Sequence, residues 1–74
     1  GKGLGGRLLE WVEQEVRREA GRILLIETSS TPPYHPTRGF YLKHGYAEAA
    51  VIPDFYADGD GKVIFSKRCV APTA

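Results

Sequence analysis

Gly1-Lys2-Gly3-Leu4-Gly5-Gly6 runs without a break into a helical pattern over residues 7–20, followed at once by the apolar run Ile23-Leu24-Leu25-Ile26. Leu8, Val12, Val16 and Ala20 recur at every fourth position with Leu9 beside them, while Glu10, Glu13, Gln14, Arg17 and Arg18 fall on other faces, as in an amphipathic helix. Glu13 and Arg17 stand four apart in the order that favours an ion pair, and Gly21 suits the left-handed position that closes a helix. The apolar run does not alternate and contains β-branched Ile23 and Ile26, so residues 22–28 read as a strand covered on both faces. A helix feeding such a strand makes an α/β layer.

The glycines before the helix are themselves a candidate site. Backbone N–H groups at glycine are uncovered, and the first turn of a helix holds donors with no intrahelical partner at the positive end of the macrodipole. Phosphate is the natural ligand of that arrangement. Lys2 and Arg7 stand ready to add charge-assisted contacts.

Beyond the strand, residues 28–37 carry Pro32, Pro33 and Pro36 and read as a loop, because each proline removes a donor and restricts its predecessor. Pro36 is placed to open a short helix over residues 36–44 that Gly45 closes, with Phe40 and Tyr41 in its middle. Residues 46–52 and 62–70 read as two strands, and Asp58-Gly59-Asp60-Gly61 between them is strong turn chemistry, so an antiparallel pair is expected. The order is loop, helix, strand, short helix, strand, strand.

Composition narrows the function. Seventy-four residues allow one small domain, and 42% hydrophobic with 26% charged residues is ordinary for a globular protein. Ten Lys and Arg against nine Asp and Glu leave no excess to drive nucleic-acid binding by counterion release. The longest apolar run, four residues, is far short of a membrane span, so a cytoplasmic protein with no membrane partner is expected. Cys69 is the sole cysteine and reads as a buried thiol, and His35 and His44 lack partners for a metal site, so no metal is expected. Asp58-x-Asp60-Gly61 lacks the other ligands of a calcium loop. The absence of Met and the beginning within a glycine cluster suggest part of a longer protein, its N-terminal half absent.

Two motifs carry a family resemblance. Gly3-Leu4-Gly5 with Gly6-Arg7 after it resembles the end of the [Arg/Gln]-x-x-Gly-x-[Gly/Ala] signature of the GNAT superfamily of acyl-CoA N-acyltransferases. Gly39-Phe40-Tyr41-Leu42-Lys43-His44-Gly45-Tyr46 is similar to that family's Phe-Tyr-x-x-x-Gly-[Phe/Tyr] segment. Their order and separation, with the helix and strand between and two closing strands after, extend the resemblance over nearly all of residues 1–74. It implies the C-terminal half of an α+β GNAT fold with a mixed sheet. Tyr34 stands where the family often has Asn.

The resemblance implies transfer of acetyl from acetyl-CoA directly to an amine, on a small molecule or a peptide. Lys2, Gly3, Leu4, Gly5, Gly6 and Arg7 would hold the coenzyme A pyrophosphate, with Arg38 at the adenosine end. Tyr41 would protonate the departing thiolate, whereas its residue type alone reads as core packing. Asp54 and Tyr56, with Phe55 between them, would line the acceptor pocket. Self-association or pairing with the missing half is expected of a strand with one unpaired edge. The rival readings are a small nucleic-acid module using Gly3 to Gly6 as a Gly-x-x-Gly backbone clamp, and an inactive truncated fragment.

Overall fold

The structure, a computed structural model, describes residues 3–69. Its elements are helix α1 (Gly3–Arg18), strand β1 (Ile23–Ser29), a 3-10 turn (Pro32–Tyr34), helix α2 (His35–Lys43) and strands β2 (Ala47–Ala57) and β3 (Asp60–Arg68). The strands form one sheet in the order β1-β3-β2. β2 pairs with β3 antiparallel. Hydrogen bonds from Ser30 N to Gly61 O and from Cys69 N to Arg22 O set β1 antiparallel to β3 as well. The α+β class expected from the sequence is the one that forms. Within these residues the sheet is antiparallel throughout rather than mixed, because β3 lies between β1 and β2 and runs opposite to both.

Two units are delimited, one taking residues up to Leu24 with those from Arg68 on, the other spanning Leu25–Lys67. In the first, α1 begins at Gly3, four residues before the expected start, so Gly3 to Gly6 form the first turn of the helix and not a loop ahead of it. Gly3 enters with φ +65°, which an L side chain adopts only with strain, and a Cβ there would meet nothing within 4 Å. The buried positions are Gly6, Leu9 and Glu13, whereas Leu8 is 63% exposed. Periodicity identifies an apolar face but not which of its residues become covered. Glu13, expected on the polar surface beside Arg17, is buried, and the surface ion pair joins Arg18 Nη2 to Glu15 Oε2 at 2.7 Å.

The end of α1 corrects the expectation for Gly21. Ala20 takes the left-handed conformation (φ 62°), its N–H donates to Arg17 O, and the Gly21 N–H donates to Val16 O at 2.8 Å. These are the two bonds of a Schellman cap, with Ala20 at the left-handed position and Gly21 following it. Glycine is needed at 21 for room, since a Cβ would stand 2.9 Å from Val16 Cγ1 and 3.1 Å from Val16 O. Ala20→Gly is therefore expected to stabilise the chain by about 1 kcal/mol by relieving the left-handed strain. Urea unfolding midpoints check it, and a lowered midpoint would contradict the assignment.

In the second unit the prolines do not forbid structure. Pro32 and Pro33 open the 3-10 turn, and Pro36 sits in the first turn of α2, where a missing N–H costs no helical bond. α2 ends in another Schellman cap: Gly45 is left-handed (φ 89°), its N–H donates to Leu42 O, and the Tyr46 N–H donates to Tyr41 O at 3.0 Å. The side chains that such a cap brings together are those of Tyr41 and Tyr46, whose ring centroids lie 5.8 Å apart. This explains the spacing Tyr41-x-x-x-Gly45-Tyr46: one aromatic three positions inside the cap, a glycine for the reversed φ, and a second aromatic to meet the first.

β2 runs past Pro53, so the two closing strands are joined by Asp58-Gly59 alone, with Asp60 and Gly61 already in β3. Between Ile52↔Lys62 and Ala57↔Asp60 the register shifts, leaving a bulge over residues 53–56 where Pro53 need donate nothing. Gly61 serves close approach rather than the turn, since a Cβ there would meet Ile52 O at 3.0 Å and Ser30 Oγ at 3.2 Å. On β3, Gly61, Val63 and Phe65 alternate inward, and Phe65 is 1% exposed. Cys69 follows β3 and is fully buried. β1 lies at the sheet edge with Ile23 52% and Leu25 60% exposed, so the cover expected on both its faces is not formed among the described residues. Among those residues no helix is long and apolar enough to cross a membrane.

Candidate functional site

The residues singled out from the sequence fall into two groups, one on each unit. The first is the start of α1. Gly3, Leu4, Gly5 and Gly6 make up its first turn with Arg7 next, while Lys2 lies outside the described residues. No acidic side chain occupies that turn, so no carboxylate competes for its amides, and Arg17 and Arg18 complement the dipole at the other end. Gly3, Leu4, Gly5 and Arg7 are exposed; Gly6 is buried.

The second group surrounds Tyr41. Its ring is held at 5.6 Å from Phe65, 5.8 Å from Tyr46 and 5.6 Å from Phe40, centroid to centroid. Phe65 and Tyr46 are buried, so Tyr41 stands against the core of this unit, while Phe40 leans on His44 at 4.4 Å. Three aromatic neighbours fix the ring plane, yet the Tyr41 hydroxyl has no hydrogen-bond partner among the described residues. A fixed phenol with an unspent donor is suited to meeting a ligand atom.

Arg38, one turn earlier on α2, donates from Nη1 to Ser29 O at 2.7 Å and to Thr31 O at 3.0 Å. Those bonds brace the start of α2 against the end of β1, and account for its guanidinium geometry without a phosphate. Ser29 is almost wholly buried and saturated. Its hydroxyl donates to Asp60 Oδ1, so it accepts from the Thr31 hydroxyl at 2.7 Å and from the Thr31 N–H at 3.1 Å.

Beside this network is a pocket of about 440 Å³ lined by Glu27, Thr28, Ser29, Tyr34, Tyr56 and Asp60. Of the two residues expected to face an acceptor, Tyr56 lines it and Asp54 does not. Asp54 is left-handed (φ 57°), and its Oδ1 accepts the Gly59 N–H at 2.7 Å, which holds the turn. Glu27 and Asp60 are lining residues that the sequence reading passed over. A signal for Glu27 exists, since a carboxylate ending an apolar run on a covered strand needs a partner. Lys62 supplies one, with Nζ 2.9 Å from Glu27 Oε1 and 3.7 Å from the centre of the Phe55 ring. Asp60 offered no such signal, being indistinguishable in sequence from the turn residues before it.

No protein-family model and no curated protein matches the chain. Among solved structures it is similar to an acetyltransferase assigned to the GNAT family from Desulfovibrio desulfuricans, with 43% identity and a TM-score of 0.90 over 92% of this chain and 43% of that one. An aminoglycoside 6'-N-acetyltransferase complexed with coenzyme A matches at 20% identity and a TM-score of 0.78, over 96% of this chain and 52% of that one. The ribosomal-protein-S18-alanine N-acetyltransferase from Escherichia coli matches at 20% identity and a TM-score of 0.78, over 97% and 47%. The last two show a shared fold alone. The chain spans about half or less of the length of each. With 43% identity over nearly its whole length to a member, and the same fold as the others, this chain belongs to the GNAT superfamily of N-acetyltransferases.

Proposed function

We propose that the chain supplies the coenzyme A pyrophosphate turn and the thiolate-protonating tyrosine of an enzyme that transfers acetyl from acetyl-CoA to a primary amine. The observation that carries this reading is Tyr41, a phenol clamped by three aromatic rings whose hydroxyl no described residue engages. Acetyl-CoA supplies an activated acyl group with a thiolate as leaving group. The amine attacks the thioester carbonyl carbon without a covalent enzyme intermediate, and Tyr41 gives its proton to the sulfur as the carbon–sulfur bond breaks, which is general acid catalysis; the nitrogen sheds one proton to solvent and the phenol takes one back, which closes the balance. Gly3, Leu4, Gly5 and Gly6 orient the pyrophosphate by first-turn amides, with Lys2 and Arg7 adding charge. The aminoglycoside enzyme of the same fold is complexed with coenzyme A, which supports coenzyme A as the ligand class. Arg38 contributes as the brace of α2 and, through any nitrogen not spent on Ser29 and Thr31, at the adenosine end.

The acceptor is an amine of a small molecule or a protein, the two kinds acted on by the aminoglycoside and ribosomal-protein enzymes. The exposed edge of β1, with Leu25 outward, supports pairing with a further segment or with a copy of the chain before activity. A Gly-x-x-Gly nucleic-acid clamp finds no support in a first turn that is continuous helix.

Gly5→Val tests the pyrophosphate assignment. The isopropyl group stands on the exposed first turn and blocks approach to the amides, so coenzyme A binding measured by calorimetry is expected to weaken about tenfold, the loss of one charge-assisted hydrogen bond or more. Unchanged affinity would remove the turn from the site.

A further inference from the structure

The pocket beside Ser29 has a chemical character that narrows what enters it. Its lining offers two carboxylates, from Glu27 and Asp60, and the hydroxyl-bearing residues Thr28, Ser29, Tyr34 and Tyr56, with no lysine or arginine among the described lining residues. Glu27 is neutralised by Lys62, whose Nζ is in turn seated over Phe55. Asp60 has no ion-pair partner among the described residues. Its side chain is held by Ser29, whose 8% exposure and three hydrogen bonds make it a fixed support.

Asp60 is not serving the turn. Asp54 already caps Gly59, and Asp60 reaches across to β1 instead. The pocket therefore presents one preoriented carboxylate, with Oδ1 held by Ser29, in a lining that includes Tyr34 and Tyr56. A lining whose charged side chains are carboxylates, with tyrosines beside them, suits a cation bearing N–H donors. An anion would be repelled by it, and an apolar ligand would strip water from Asp60 without replacing it. The volume falls within the range of about 300–1,000 Å³ typical of small-molecule sites.

We infer that this pocket is an ammonium subsite that holds a protonated nitrogen of a ligand of the diamine class. The role of that ligand as acetyl acceptor rests on the acetyltransferase reading; the subsite does not. A nitrogen held as ammonium against Asp60 has no lone pair with which to attack a thioester. The acceptor consequently carries a second nitrogen that reacts while the first is anchored.

The test is calorimetric titration of this chain with 1,4-diaminobutane and with its neutral isostere 1,4-butanediol, with coenzyme A titrated separately. The diamine is expected to bind at least tenfold more tightly than the diol, and to weaken as salt is raised because the attraction is between charges. Asp60→Asn is expected to weaken diamine binding roughly tenfold, the scale of one charge-assisted hydrogen bond. Equal binding of diol and diamine, or diamine binding insensitive to salt, overturns the proposal even if the variant fails to fold. Diamine binding unchanged in a folded Asp60→Asn protein also overturns it. Coenzyme A binding without diamine binding sinks the subsite and leaves the acetyltransferase reading standing; the converse result does the opposite.

Discussion

Tyr41→Phe is expected to lower kcat about 100-fold in an active protein carrying this chain, the scale of one general acid and equivalent to roughly 2.7 kcal/mol of transition-state stabilisation. The substitution keeps the ring, and with it the contacts to Phe65, Tyr46 and Phe40. It removes a hydroxyl that no described residue engages, so the protein loses no internal hydrogen bond. Stability should accordingly stay within about 0.5 kcal/mol, as for a substitution touching no packing or buried pair. Acetyl-CoA affinity, measured calorimetrically, should change little. That split between turnover on one side and affinity and stability on the other is the signature of a proton donor. An unchanged kcat would return Tyr41 to a packing role.

The candidate residues were unequally legible in the sequence. The Tyr41 segment could be read because its spacing is dictated by local geometry: a Schellman cap needs a left-handed residue, and it brings the side chains of Tyr41 and Tyr46 together whatever surrounds them. Elements themselves were readable for the same reason, each being fixed by short-range periodicity. Boundaries were less so. Glycine lowers helix propensity by about 1 kcal/mol per residue in a helix interior, so a cluster of glycines reads as loop, yet a first turn tolerates them and α1 starts at Gly3. Conversely, Gly21 reads as the left-handed closer because glycine is the usual occupant, and the structure gives that conformation to Ala20. The pocket was the hardest to foresee. Asp60 and Ser29 are thirty-one residues apart and meet only because β3 inserts beside β1, a long-range fact that no window of sequence contains.

Phe65→Ala is expected to cost about 3–5 kcal/mol, the range for emptying a fully buried phenylalanine site, measured as a shift in urea midpoint at unchanged slope. Phe65 is 1% exposed on the central strand, and its ring leans on Tyr41 at 5.6 Å with a 46° interplanar angle. An aromatic pair of this kind adds about 0.5–1.5 kcal/mol beyond the area it buries. Domains have about 5–15 kcal/mol in hand, and one this small sits low in that range. The variant should thus be largely unfolded at modest urea, while Phe65→Leu, nearer in volume, should retain most of the fold. A loss under about 1 kcal/mol for the alanine variant would show that the site closes up or is not sealed. The consequence reaches the chemistry, because Phe65 forms one wall of the clamp on the phenol. If Tyr41 and α1 hold the roles proposed for them, a folded Phe65→Leu protein should lose turnover while still binding coenzyme A, and the position of the phenol would be shown to depend on Phe65.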